Sequence, residues 1–218
     1  ARIEGNRTTV EELVEATLAG QQDSTEQLRE IGNIEDAMSW LEEEFEKNPE
    51  RKLDGDLVCE LHRLVVKNLR TPDIGGEGAH TPGHIPPSPF ELEDLFVELI
   101  EFINAPPDPQ FDLLRIAIAH HRFEHIHPFR NGNGRVGRLL TYAMLVRLGF
   151  RVHKGRIVNP SAMFCSDRTT YMSALSKADS GNDADLLEWC EFVLAGLHGE
   201  IAKVDRLLDR EVLEEEVL

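Results

Sequence analysis

Cysteine is scarce in this chain, and its three residues, Cys59, Cys165 and Cys190, lie far apart with no CxxC pair. That count and spacing argue against a disulfide framework and a thiolate zinc site. A reducing compartment fits, so a cytoplasmic location is expected. No apolar run approaches the roughly 20 residues that span a bilayer. Ala1 opens a polar segment that lacks the apolar centre of a signal peptide, and no membrane partner is expected. Basic residues are also in short supply: 23 Lys and Arg stand against 40 Asp and Glu, a formal net charge of −17. Such an excess disfavours nonspecific binding to phosphate backbones, so no nucleic acid is expected to bind this chain. The acidic runs, EEEFE from Glu42 to Glu46 and EEE from Glu214 to Glu216, read as solvated helix faces.

Sustained period-two alternation is missing too, which leaves no half-buried strand, while helical periodicity runs from end to end. The expected fold is all-α. At 218 residues, with 41% hydrophobic and 29% charged residues, the chain can bury one good-sized core. Thr8 or Thr9 can cap a first helix that ends at Gly20, and a second element covers Ser24 to Gly32. Ile34 to Asn48 is closed by Pro49, and Asp54 to Asn68 carries Leu57, Leu61, Leu64, Val65 and Leu69 on one face. The segment Thr71 to Pro89 has four glycines and five prolines and cannot be a continuous helix. Helices follow over Phe90 to Asn104, from Phe111 or Asp112 to His127, and from Gly134 to Gly149. They resume over Pro160 to Ala178 and Ala184 to Glu216.

The chemistry concentrates in HPFRNGNGRVGR, His127 to Arg138. Pro128 stops one helix at His127, and the next begins within a few residues. The unpaired N–H groups of that second helix, near Gly132 to Gly134, and its positive dipole end form an anion site, and glycine lets a ligand approach the backbone closely. Arg135 and Arg138 stand three apart on the first turn and can both reach one polyphosphate. The Asn133 amide can bond a phosphate or hold the turn. His127 is the side chain in the loop able to accept a proton near neutral pH. A phosphate cradle beside a histidine base implies attack by a deprotonated nucleophile on phosphorus. The Walker A pattern is absent.

This stretch resembles the Fic motif HPFx[D/E]GNGRxxR, matching every fixed position but one, and FEHIHPFRNGNGRVGRLL extends the likeness on both sides. The resemblance implies a helical Fic domain with a short β-hairpin flap over its active site, and transfer of AMP from ATP to a hydroxyl side chain of a target protein. It implies His127 as general base and Phe129, after Pro128, as the loop's anchor in the core. Asn133, Gly134 and Arg135, with Gly132 beside them, would bind phosphate, and Arg138 the terminal phosphate of ATP. The family usually has a carboxylate for Mg²⁺ where this chain has Asn131. One neutral amide oxygen is a weaker ligand for that hard cation, so Mn²⁺, another nucleotide donor or a slower reaction is open. By the same resemblance Thr71 to Pro89 holds the flap, on which an extended target segment docks, with Ile74 or Ile85 as clamp candidates. The opening ARIEGN resembles the end of the family's inhibitory motif [S/T]xxxE[G/N], whose first residue would lie upstream of Ala1. Glu4 would then pair with Arg138 as a brake, or serve AMP removal.

The expected division is N-terminal helices over 1–50, a Fic core over 51–200 and a helical extension over 201–218. Acidic helices at both ends leave room for a homodimer. His121 and His125 share a helix face, but HExxH is missing and no aspartate ligand is evident nearby, so a zinc hydrolase is disfavoured. His120 is expected to orient the loop or pack in the core, and Tyr171 to border the base pocket or to pack. Leu139, Leu140, Ala143, Met144 and Leu148 are expected in the core. The rival to transferase activity is a nucleotide-binding regulatory module with weak or no catalysis.

Overall fold

The structure, a computed structural model, describes residues 8–20, 25–70, 86–150, 164 and 167–216. Among them there are eight helices and no strand. These are α1 (Val10–Leu18), α2 (Glu26–Lys47), α3 (Gly55–Val65), α4 (Leu92–Ile103), α5 (Asp112–Ile126), α6 (Asn133–Arg147), α7 (Arg168–Ala178) and α8 (Asp183–Glu216). Glu4 and residues 71–85, with Ile74 and Ile85, lie outside the described residues. The inhibitory contact and the flap hairpin therefore stand as expectations.

Local chemistry sets most helix starts. Thr9 forms a reciprocal capping box with Glu12, its hydroxyl taking the Glu12 N–H while the Glu12 carboxylate takes the Thr9 N–H. Thr25, Asp54 and Asp167 cap α2, α3 and α7 in the same sense, each side chain accepting an otherwise unpaired first-turn N–H.

Three expectations need correcting: the stretch read as one helix from Pro160 is not continuous, since Asp167 is extended and α7 starts at Arg168, and the other two concern Gly32 and Leu148. The two elements read on either side of Gly32 form one helix, α2. A glycine inside a helix costs only about 1 kcal/mol, and tertiary bonds outweigh it here. Asn33 is buried and donates from Nδ2 to the carbonyls of Val65 (3.3 Å) and Lys67 (2.8 Å), tying this part of α2 to the end of α3.

Helix α6 sits at the centre. Leu139, Leu140, Ala143 and Met144 are buried, as is nearly every residue from Val136 to Val146, the pattern of a helix surrounded on all sides. Helices α2, α3 and α5 surround it; α4 packs on α5, and α8 packs on α5 and α7. Leu148 departs from the core expectation: it is 38% exposed, because it caps α6 where the chain leaves the bundle. The Trp189 indole of α8 is buried and donates to the Ala117 carbonyl of α5 at 2.7 Å. This leaves the α5–α6 junction enclosed on one side by α3 and backed on the other by α8.

Candidate active site

The junction opens where α5 stops. His127 is its C-cap, with φ 49° and ψ 56°, a left-handed conformation uncommon for a residue bearing a Cβ. The turn lets the chain reverse and enter α6 within a few residues. His127 Nδ1 lies 3.2 Å from the Glu124 carbonyl oxygen. A carbonyl can only accept, so Nδ1 carries the hydrogen, and Nε2 of the neutral ring is the proton-accepting nitrogen.

Asn133 is buried and bonds Phe129 twice. Its Oδ1 accepts the Phe129 N–H at 2.9 Å and its Nδ2 donates to the Phe129 carbonyl at 2.5 Å. Of its two sequence readings, phosphate binding and holding the turn, these contacts are those of the second. Gly132 precedes α6 with φ 75°, a conformation that favours glycine. A Cβ there would meet Val66 Cγ1 at 3.2 Å and Val65 Cγ2 at 3.5 Å, so the loop lies directly against the end of α3. No side chain at that position caps α6, and its first-turn N–H groups open the helix on the loop side.

The two arginines are placed differently. Arg135 is buried and engaged: Nη1 donates to the Val65 carbonyl at 3.0 Å and lies 3.3 Å from the Glu30 carboxylate of α2. Arg138 is 2% exposed and close enough to His120 for its charge to disfavour a second charge there. The sequence shows two forks aimed at one ligand; in the fold, Arg135 turns to α2 and α3 while Arg138 is buried beside His120. Gly137, between them, faces Glu124, whose Oε1 would stand 2.3 Å from an added Cβ.

His120 packs in the core. Thr141 Oγ1 donates to the Gly137 carbonyl (3.0 Å), so it accepts from His120 Nδ1 (2.9 Å), leaving His120 Nε2 to accept from the Tyr171 hydroxyl (3.1 Å). Phe164 and Trp189 stack on the imidazole. Burial, with the Arg138 charge, pushes its pKa down to about 3, so the ring is neutral. Tyr171 is therefore a core residue bonded to His120.

His121 and His125 do find an aspartate, which the sequence spacing did not reveal. His121 Nε2 and His125 Nδ1 each lie 3.0 Å from the same Oδ1 of Asp179, at the end of α7. No group of three His, Cys, Asp or Glu side chains among the described residues is arranged to hold a metal ion.

Asn131 is half-buried. It offers one neutral amide oxygen where Mg²⁺ prefers carboxylates and phosphates, so the donors at this position among the described residues do not by themselves make a Mg²⁺ site. Beside it stands a residue that motif reading missed. His62 of α3 stacks on Phe129, with ring centroids 3.9 Å apart and planes within 7°. Burial pushes its imidazole below the ordinary histidine range, hydrogen bonds with the Asn131 main chain and side chain pull the other way, and the Arg135 charge adds to the lowering. The available signal was a histidine on the apolar face of α3, four residues after Val58 and three before Val65.

Among the described residues no helix is long and apolar enough to cross a membrane. Residues 52–145 match the family model described as Fic/DOC family. The chain is 32% identical over 156 residues to "Protein adenylyltransferase Fic" of Drosophila grimshawi, covering 68% of this chain and 32% of that protein. It is 33% identical over 156 residues to the protein of the same name in Culex quinquefasciatus, covering 68% of this chain and 31% of that one. The chain thus spans about a third of the curated relatives it matches. Among solved structures, Fic-1 (residues 134–508) from C. elegans aligns at a TM-score of 0.68 and 22% identity, over 98% of this chain and 61% of that one. A Fic domain containing signaling protein from Bacteroides thetaiotaomicron aligns at 0.70 and 20%, over 92% and 81%. The helical order, the loop between α5 and α6 and these likenesses lead to one conclusion: over residues 52–145 the chain belongs to the Fic/DOC family.

Proposed function

We propose that this chain is a protein adenylyltransferase that moves AMP from ATP to a hydroxyl side chain of a target protein. The observation that carries the reading is His127: its Nδ1 is held at the Glu124 carbonyl, so its Nε2 is the proton acceptor at the mouth of a helix N-terminus. In the reaction His127 Nε2 takes the proton of the target hydroxyl. The hydroxyl oxygen forms a bond to the α-phosphorus of ATP, the bond from that phosphorus to the bridging oxygen breaks, and pyrophosphate leaves. The first-turn N–H groups at Gly132, Asn133 and Gly134 and the Arg138 guanidinium supply positive potential toward the phosphates. Arg135 serves by fixing the loop against α3 as well as by charge.

The target docks as an extended segment along the flap, within Thr71 to Pro89, where main-chain pairing tolerates varied side chains. Glu4 restrains the enzyme by pairing with Arg138. The similarity to proteins named protein adenylyltransferase supports AMP transfer. Asn131 favours a second reading, a nucleotide-binding regulatory module with weak transfer or another nucleotide donor, since its neutral amide weakens any use of Mg²⁺.

Incubation with α-labelled ATP and Mg²⁺ or Mn²⁺, following label kept on protein, tests this. Transfer predicts that label appears, rises in Glu4→Ala and vanishes in His127→Ala, and that Asn131→Asp strengthens the Mg²⁺-supported reaction. If no variant labels itself or a lysate while ATP still binds, the regulatory module replaces the transferase.

A further inference from the structure

The end of α3 forms the floor of the nucleotide loop. Val65 and Val66 lie under Gly132, the Val65 carbonyl holds Arg135, and His62 lies flat on Phe129. Phe129 is in turn bonded through its main chain to Asn133, so the His62 ring, the Phe129 ring and the Asn133 amide form one continuous stack of contacts. His62 Nε2 is buried with no formed hydrogen bond, while hydrogen bonding between the His62 ring and the main chain and amide of Asn131 opposes the effect of burial on the imidazole. A buried polar atom left without a bond costs about 1–3 kcal/mol, so a loop state that satisfies it is favoured. Site hydrogen bonds commonly tighten only when the ligand is bound.

We infer that His62 is a positioning residue of the nucleotide site: its ring supports Phe129, and its hydrogen bonding to Asn131 aims the Asn131 amide at the phosphates of a bound nucleoside triphosphate. The inference rests on the nucleotide-site reading given above and specifies what replaces a carboxylate at that position. A neutral amide needs an outside partner to fix which of its ends faces the ligand, and His62 supplies it. The two roles are separable because stacking needs only a flat ring and orientation needs a nitrogen.

The test is ATP affinity by calorimetry on the full chain, together with kcat and KM for label transfer, in His62→Phe, His62→Gln, Asn131→Ala and the double variant His62→Phe/Asn131→Ala. Thermal unfolding is measured alongside. The expected result is a three- to ten-fold loss of ATP affinity in His62→Phe, the range of one lost hydrogen bond, with the unfolding temperature not lowered. His62→Gln should recover part of that loss, and the Phe substitution should have no further effect once Asn131 is Ala. Equal losses from His62→Phe in both backgrounds, or losses that follow only the unfolding temperature, would overturn the inference and make His62 a packing residue. If the chain binds ATP with this pattern but transfers no AMP, the transferase reading fails and the role of His62 stands. If the unaltered chain binds no ATP, both fail.

Discussion

Arg135 donates from Nη1 to the Val65 carbonyl at 3.0 Å, and the same nitrogen lies 3.3 Å from Glu30. A guanidinium on the first turn of α6 thus joins α2, α3 and α6. Glu30→Ala is expected to cost about 1–3 kcal/mol, the penalty for removing one partner of a largely desolvated charge, and Glu30→Gln less than half of that. Arg135→Lys is expected to behave like the alanine change, since a single ammonium lacks the planar fork. Denaturant unfolding measures all three, and an unchanged midpoint for Glu30→Ala would refute the coupling.

Gly137 is required by closeness. Alanine there would put its Cβ 2.3 Å from Glu124 Oε1 and 3.2 Å from Phe123 Cδ1. The expected loss is about 1–3 kcal/mol, as for other overpacked cores. Part of it should return in Gly137→Ala/Glu124→Ala, read as a less than additive double variant by thermal or chemical unfolding. Strict additivity would place the strain on the Phe123 ring instead.

His120 gives the fold an acid sensitivity. Its folded pKa of about 3 lies below the unfolded value of 6.5, so the unfolded chain takes up the proton first as pH falls. The stabilisation is complete above pH 6.5 and is lost progressively down to pH 3, at up to about 1.4 kcal/mol per pH unit. Urea unfolding at steps from pH 7 to pH 4 should show that slope, and His120→Gln should flatten it. An equal slope in both would assign the acid loss to other groups.

Asp179 adds a second, lower window. Burial raises its pKa, but the hydrogen bonds from His121 and His125 outweigh that and hold it at about 2. The stability it contributes is present above the ordinary carboxylate range and disappears as pH falls toward 2. Asp179→Asn should therefore weaken the fold near neutral pH and narrow its difference from the parent near pH 2, as followed by circular dichroism.

Helix positions were readable from periodicity and caps because Thr9, Asp54, Pro128 and Gly149 act locally. The union of α2 across Gly32 was not, because the bonds that outweigh the glycine come from Asn33 to carbonyls more than thirty residues away. The loop announced itself through HPFRNGNGRVGR. His62 and Glu30, which hold it from beneath and behind, carry no motif of their own and meet the loop only through the packing of α2 and α3 on α6. Asp179 was likewise invisible from the spacing of His121 and His125, since it arrives from the far end of α7.

The backbone of His127 bears on how any knockout at that position is judged. Because φ there is 49°, the residue works as a hinge pin as well as a base, and the two duties favour different replacements. Glycine relieves the left-handed strain, asparagine tolerates it, and a β-branched residue resists it. An inactive His127→Val protein would therefore leave ambiguous whether a proton acceptor or a chain reversal had been lost. An inactive His127→Asn protein with an intact fold isolates the proton acceptor.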